Sequence, residues 1–130
     1  MKALLSIKPK YVEQIIKGNK KYEFRKLIFK QKVDRIYIYS SAPTKKIIGH
    51  FTLSKTIEKS PKELWKELRA VSGISERDFF QYFMGKKKGF AIKIDCLELF
   101  DEPIDPQKHI KNFIPPQSFC YLGDDLLLSL

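Results

Sequence analysis

Short segments that alternate apolar and polar side chains constrain the fold of this chain most strongly. Around residues 34–40, for example, Ile36 and Ile38 alternate with Tyr37 and Tyr39. A period of two is typical of strands. The chain has no repeating strand–helix–strand rhythm, which disfavours a parallel nucleotide-binding sheet. The strand-like segments are residues 3–8, 21–27, 34–40, 47–57, 90–100 and 118–122.

Three helices are predicted from local start and stop signals. Pro9 suits the first turn of an early helix, and Gly18 suits its end. Ser60 and Ser75 are predicted N-caps, because each is followed three residues later by an acid that completes a capping pattern. We expect the two later helices to be packing elements. Gly49 lies inside a strand pattern, where it indicates a bulge or a close backbone approach as the sheet curls.

These elements predict an α+β fold, a small mixed β-barrel with a short N-terminal helix and a helical insertion. The 130 residues, with 43% hydrophobic content, suffice for one core. We therefore expect one domain over residues 1–130. No internal repeat, low-complexity tract or linker divides the sequence.

The charge of the chain is strongly asymmetric. The formal net charge is +10, and residues 1–50 alone carry thirteen Lys or Arg against three acids. A basic surface on one side is the electrostatic footprint of a nucleic-acid binder, because contacts with phosphates release counterions. The alternative is that the lysines serve only solubility. The charge therefore favours an RNA, single-stranded nucleic acid or nucleotide partner without establishing one.

Other features limit the remaining classes. No apolar run reaches the roughly 18 residues of a membrane span, and the N-terminal apolar run is too short for a secretory signal, so we expect no membrane partner and a cytoplasmic protein. Cys96 and Cys120 are predicted to be buried thiols. Neither forms a metal-ligand spacing with His50 or His109, so no metal or cofactor is expected. The acidic, Leu-rich tail 124–130 either caps the barrel or contacts a second subunit.

The densest group of charged residues lies in the segment 18–26. Strand alternation places Lys21, Glu23 and Arg25 on one face of the strand. Phe24 lies on the other face. One interpretation is that Glu23 and Arg25 form a salt bridge while the lysines are solvated, which the residues alone favour. The other is that Lys20, crowded by cations at the rim of a cavity, has its charged form disfavoured and acts as a base or nucleophile.

This segment resembles the signature of the ASCH domains of the PUA-like superfamily, G-x-K-x-x-E-x-R. The four positions are met by Gly18, Lys20, Glu23 and Arg25. The resemblance extends to S-I-K-P, I-Y-I-Y-S-S-A-P, K-K-I-I-G and P-P-Q-S-F-x-Y-L, so it covers nearly the whole chain. It implies a compact PUA-like β-barrel with a cleft beside the early helix, and a role in binding RNA or coregulators, including regulation of transcription.

The resemblance also implies two enzymatic alternatives. Some small ASCH proteins hydrolyse N4-acetylcytidine with the motif Lys and a Thr three residues on. Lys20 matches that Lys, whereas Glu23 stands at the Thr position. Other members have been proposed as ribonucleases. If the protein is an enzyme, Lys20 and Glu23 are the expected catalytic residues.

The expected main activity is binding of RNA or a nucleotide in a basic cleft. Arg25 and Lys8 would contact phosphate or a base carbonyl, Glu23 would orient Arg25 or accept from an exocyclic amine, and Tyr39 would stack on a base. A protein-interaction module that meets an acidic partner is the alternative from another class. The full set of expected binding residues is Lys8, Lys20, Glu23, Arg25, Lys26, Tyr39, Ser40, Ser41, Gln117, Ser118 and Tyr121.

Overall fold

The fold is a curled six-stranded sheet with three α-helices. A computed structural model describes residues 1–123. The expectation for the tail 124–130 lies outside the described residues. In chain order the elements are β1 (Lys2–Ile7), α1 (Pro9–Ile16), β2 (Tyr22–Arg25), β3 (Arg35–Ser40), β4 (Lys46–Lys59), α2 (Pro61–Leu68), α3 (Glu76–Tyr82), β5 (Gly89–Ile104) and β6 (Phe119–Leu122), with short 3-10 turns at Arg69–Val71 and Pro106–Lys108.

The strand order is β2-β5-β4-β3-β1-β6. Among the strands of residues 1–123, β1 and β3 pair in parallel and the other neighbours are antiparallel. The predicted α+β class and the curled, barrel-like sheet are therefore confirmed. Because the sheet curls, the outer strands β2 and β6 approach the same space. That space is where the charged segment lies.

Both faces of the sheet are covered. Leu5 and Ile7 of β1 belong to a cluster that also contains residues of α1, whereas Leu4 faces a second cluster with Tyr37 and Phe113. A third cluster joins the inner side of β2 and β5 to the helical insertion, through side chains such as Phe24, Leu64, Phe79, Phe83 and Ala91. The alternation read from the strands thus corresponds to packing on two sides.

The local signals are confirmed at the predicted caps and at the predicted close approach. The Ser60 hydroxyl accepts a hydrogen bond from the backbone N–H of Glu63, and the Ser75 hydroxyl accepts one from that of Asp78. A Cβ at Gly49 would lie 2.3 Å from the carbonyl oxygen of Glu98. Only glycine fits this approach of β4 to β5, where the pairing register also shifts.

The cysteine prediction is wrong for Cys96. This residue is exposed and has a φ of +50°, because the register of β5 against β4 is irregular at this point and turns the side chain out of the strand pattern. Cys120 is half-buried, and burial raises the pKa of its thiol. Within residues 1–123, no helix is both long and apolar enough to cross a membrane.

Candidate functional site

A cleft of about 740 Å³ opens at the end of the sheet where β1 leads into α1. Its sides are the start of α1, strand β2, helix α3 and the loop before β6. The charged lining residues are Lys8, Lys10, Lys20, Glu23, Arg25, Lys26 and Asp78, so cations predominate. The other lining residues include Ser6, Tyr11, Phe24, Ser41, Ile74, Tyr82 and Gln117.

Lys20 forms part of the cleft floor and is 3% exposed. After α1 the chain turns at Gly18, whose φ of +82° favours glycine, and Lys20 then pairs with Ser72 through an isolated backbone bridge. The Lys20 ammonium donates to the carbonyl oxygen of Ser72 at 3.0 Å. It also lies 4.8 Å from the ring centroid of Phe24. The amine is thus held at one position.

The protonation of Lys20 is perturbed by this position. Burial lowers the pKa of the Lys20 amine below its usual value near 10.5. The carboxylate of Glu23, 3.5 Å away, opposes the shift, and the positive charge of Arg25 adds to it. As a result, a larger fraction of the Lys20 amine is neutral than in an exposed lysine.

Glu23 and Arg25 form a buried ion pair beside Lys20. One Glu23 oxygen accepts from Arg25 at 2.8 Å, and the residues are 6% and 8% exposed. Arg25 reaches across the cleft floor as well, donating to the Ser6 carbonyl at 2.9 Å and to the Ser118 hydroxyl at 3.1 Å. Because Arg25 belongs to β2 and Ser118 precedes β6, this guanidinium joins the two outer edges of the curled sheet.

The Arg25 guanidinium keeps one donor unused. Its Nε is buried and has no hydrogen-bond partner within the described residues. A buried, unpaired N–H costs free energy unless a water or a guest supplies an acceptor. The Nε of this cation is thus both unpaired and inaccessible from the open cleft.

Aromatic rings form the walls of the cleft. Tyr11 extends from α1 and Tyr82 from α3, and both are half-buried. The Tyr82 hydroxyl accepts from the backbone N–H of Lys26, and the Lys26 ammonium lies 4.6 Å from the Tyr82 ring centroid. Burial raises the pKa of the Tyr82 phenol, so this group stays protonated at neutral pH. The walls are thus aromatic rings with lysine ammonium groups over them, since Lys10 and Lys20 also lie 4.9 Å and 5.5 Å from the Tyr11 centroid.

Most of the residues expected at the site meet in the cleft. The predicted residues that line it are Lys8, Lys20, Glu23, Arg25, Lys26, Ser41 and Gln117. Ser118 contacts it indirectly, through the hydrogen bond from Arg25. The predicted Glu23–Arg25 salt bridge is present, and Lys21 and Lys26 are exposed as that interpretation expected. Lys20 differs, because it is buried rather than solvated.

Besides Ser118, three expected residues do not line the cleft. Tyr39 is 2% exposed and packs against Phe113, so no base has access to its ring, and the expected stacking role is corrected. Ser40 is also 2% exposed. The Tyr121 hydroxyl accepts from the backbone N–H groups of Lys30 and Gln31, which makes it a loop anchor. The alternating side chains of these strands therefore pack in the core and do not line the cleft.

Several site residues were missed from the sequence. Helix α3, expected to be only a packing element, places Asp78 and Tyr82 on one face toward the cleft. Their spacing of four residues was the available signal. Gly73 was also missed. Its φ is +61°, and a Cβ there would lie 2.4 Å from the Cβ of Lys20, so glycine is what lets the 72–73 backbone approach that lysine.

No group of three or more His, Cys, Asp or Glu suited to a metal ion occurs among residues 1–123. The donors of the cleft are ammonium, guanidinium, amide and hydroxyl groups, which favour an anionic or hydrogen-bonding organic guest.

The curled α+β sheet, with a charged cleft where its outer strands converge, defines a small PUA-like half-barrel. The chain belongs to the ASCH domain family, whose model, described as "ASCH domain", matches residues 5–100.

An ASCH protein sequence and an ASCH crystal structure, both from Zymomonas mobilis, are similar to the chain. It is 32% identical over 123 residues to a Zymomonas mobilis protein named ASCH domain-containing ribonuclease, covering 92% of this chain and 83% of that one. The crystal structure of ASCH from Zymomonas mobilis matches with a TM-score of 0.90 at 28% identity, covering 98% and 92% of the two chains. A Ureaplasma parvum protein named ATP synthase subunit alpha is 28% identical over 92% of this chain but only 15% of its own length.

Proposed function

We propose that this protein binds single-stranded RNA in the cleft. The observation that carries the proposal is the buried Lys20–Glu23–Arg25 cluster on the floor, below a mouth that bears the exposed lysines Lys8 and Lys26. Burial of charged groups is costly, so such a cluster is typical of functional sites. Its excess of cations selects an anionic guest.

The lining suggests how a strand would be held. Lys8 and Lys26 at the mouth would contact phosphates, and the positive charge of Arg25 below them would attract the strand toward the floor. Tyr11 and Tyr82 would flank an unstacked base, replacing the role first expected of Tyr39. Glu23 would accept a hydrogen bond from the edge of that base while it holds Arg25 in place.

Single strands are favoured over duplexes because the charged floor lies inside a cleft. A base has to leave its stack to reach such a floor, which costs least in a single strand. The similarity to a protein named a ribonuclease favours RNA as the nucleic acid. An acidic protein partner would satisfy the lysines at the mouth, but it would leave the aromatic walls without a role.

Fluorescence anisotropy of a short single-stranded RNA over a salt series tests the proposal. The double variant Lys8→Ala/Lys26→Ala is expected to bind at least tenfold more weakly. The slope of log affinity against log salt should fall in magnitude by about 1.4, or roughly 0.7 for each lost phosphate contact.

The matched control is Lys62→Ala/Lys66→Ala, which removes the same charge from exposed positions of α2 that do not line the cleft. It should stay within about twofold of the native protein, as expected for a small change in overall charge. Equal losses in both double variants would show that RNA responds only to net charge and would overturn the proposal.

Cleavage of the bound RNA is a second candidate, favoured by the lowered pKa of Lys20. A neutral Lys20 amine can take the proton of a ribose 2′-hydroxyl, whose oxygen then attacks the adjacent phosphorus. The bond from phosphorus to the 5′-oxygen breaks, the leaving oxygen takes a proton from water, and a 2′,3′-cyclic phosphate remains. Arg25 would stabilise the charge that develops on the phosphate.

An RNA with one 2′-deoxy residue separates cleavage from binding. If cleavage occurs this way, native protein should cut ribo-oligonucleotides to 2′,3′-cyclic ends, and the substituted linkage should be bound but not cut. The variant Lys20→Met should keep its fold, bind RNA more weakly than the native protein and show no cutting. Cutting at the deoxy linkage, or undiminished cutting by Lys20→Met, would contradict the mechanism.

A further inference from the structure

A second hollow adjoins the cleft and shares one of its walls. It has a volume of about 290 Å³ and includes Gln14 and Ser75 in its lining. Lys10, Tyr11, Ile74 and Asp78 line both hollows. The two spaces are therefore neighbours across these four residues.

An ion pair crosses this shared wall. The Lys10 ammonium of α1 lies 3.4 Å from a carboxylate oxygen of Asp78 in α3, and it also lies over the Tyr11 ring, 4.9 Å from the centroid. Both side chains are well exposed, at 61% for Lys10 and 42% for Asp78. Exposed pairs of this kind contribute little to stability and exchange partners readily. The bridge between the helices is thus a contact that a guest can open.

The two acids of the cleft differ in their partners. Glu23 is buried between Arg25 and Lys20, so its charge is compensated inside the protein. Asp78 has Lys10 as its ion-pair partner among the described residues. A phosphate oxygen carries the same type of charge and the same acceptor chemistry as a carboxylate oxygen. Asp78 therefore occupies the position on Lys10 that a phosphate would take.

We infer that the Lys10–Asp78 pair is a latch between two parts of one groove, and that a single-stranded RNA opens it by drawing the Lys10 ammonium from Asp78 onto a phosphate. This inference rests on the proposed function. The Asp78 carboxylate then faces the strand and repels it, which limits affinity and hastens release. Tyr11, shared by both hollows, flanks the path along which the strand continues.

The variant Asp78→Asn tests the latch, because it removes the competing charge and keeps the size of the side chain. Its affinity for a single-stranded RNA of about eight nucleotides should rise about two- to fivefold, the size expected for release of an exposed ion pair. The salt slope should steepen by up to about 0.7, since Lys10 becomes fully available to a phosphate.

The matched control is Asp34→Asn. Asp34 also pairs with a lysine, the half-buried Lys2 at 3.2 Å, and with the N-terminal amine at 3.7 Å, but it lies at the other end of the parallel strands β1 and β3, away from the cleft. Asp34→Asn removes one negative charge, as Asp78→Asn does, but at a position away from the cleft. Its RNA affinity and salt slope should therefore equal those of the native protein within error. An equal gain in Asp34→Asn would overturn the latch, because the gain would then come from net charge.

A double-mutant cycle gives a second, independent readout. In the native protein, Lys10→Ala should change RNA affinity by less than about twofold. The reason is that Lys10 loses its ion pair with Asp78 when it gains its contact with a phosphate, so the two contributions largely cancel. In the Asp78→Asn background the same substitution should remove the gain. Equal effects of Lys10→Ala in both backgrounds would overturn the latch while leaving RNA binding intact, whereas an absence of RNA binding by native protein would overturn the proposed function itself.

Discussion

Two groups of ion pairs in this protein use the same residue types in opposite ways. On the cleft floor, the side chains of Lys20, Glu23 and Arg25 are only 2%, 9% and 10% exposed. At the far end of the sheet, Lys2 and Asp34 pair with side-chain exposures of 22% and 62%. The floor is fixed by packing and hydrogen bonds, whereas the exposed pair is surrounded by solvent. This difference in burial distinguishes the ion pairs that form the candidate site from those that lie on the surface.

The physical reason is desolvation. Ions at the surface keep most of their water, so forming or breaking the Lys2–Asp34 pair changes little. The ions of the floor have lost their water and depend on each other, which makes removal of one partner far more costly than the pair is worth. The Lys10–Asp78 pair lies beside the cleft, and both of its groups are exposed. It is therefore as weak as the surface pairs, although it is part of the site.

The largest expected effect comes from removing the negative charge of the floor. Glu23→Gln leaves Arg25 and Lys20 buried without a counter-charge and should lower the free energy of unfolding by about 3–5 kcal/mol. Urea denaturation measures this loss. Asp34→Asn, the same chemical change at the exposed pair, should cost less than about 1 kcal/mol. Similar losses for the two variants would remove the distinction between floor and surface.

A smaller effect is expected from crowding the loop that holds Lys20. Gly73→Ala combines strain at a positive φ with a Cβ 2.4 Å from that of Lys20. We expect a loss of about 1–3 kcal/mol in unfolding free energy from the strained backbone, with a further loss from the clash. RNA affinity should also fall, because Lys20 is displaced.

The control for this variant is Gly85→Ala. Gly85 has a φ of +78°, but nothing lies within 4 Å of a Cβ built there. It therefore reports the strain of the backbone without the clash. If Gly73→Ala and Gly85→Ala cost the same and bind RNA equally, the close approach of the 72–73 backbone has no part in placing Lys20.

The smallest effect concerns the proton of Lys20 and is a dependence on pH. Since burial lowers the pKa of this amine in the folded state, the unfolded chain binds more protons between that pKa and about 10.5. The stability of native protein should therefore rise with pH across this window relative to Lys20→Met. Urea denaturation of both proteins at a series of pH values measures the difference, and parallel curves would show that the pKa of Lys20 is not lowered.

Much of the fold was predictable because it depends on local signals. The caps at Ser60 and Ser75 require only nearby residues, and the glycine at position 49 signals its close approach from within a strand. The positive φ of Cys96 was not predictable, because it arises from the register of two long strands. Whether a strand residue is buried depends on how its strand pairs with the neighbouring strand, and the alternation of residue types does not show this.

The site was predictable only where one segment supplies it. Glu23 and Arg25 are two residues apart on one strand, so their pairing follows from alternation. The burial of Lys20 depends on Ser72 and Gly73, about fifty residues away, and the cleft face of α3 depends on how that helix packs. Tyr39 was misplaced for the same reason: alternation gives a face but not which layer covers it.

A crystal structure of the protein with a short single-stranded RNA would show whether the strand occupies the cleft. We predict a phosphate within hydrogen-bond distance of Lys8 or Arg25 and a base between Tyr11 and Tyr82. Density for RNA only along the exposed lysines at 86–88, between α3 and β5, with the floor of Lys20, Glu23 and Arg25 untouched, would contradict this prediction.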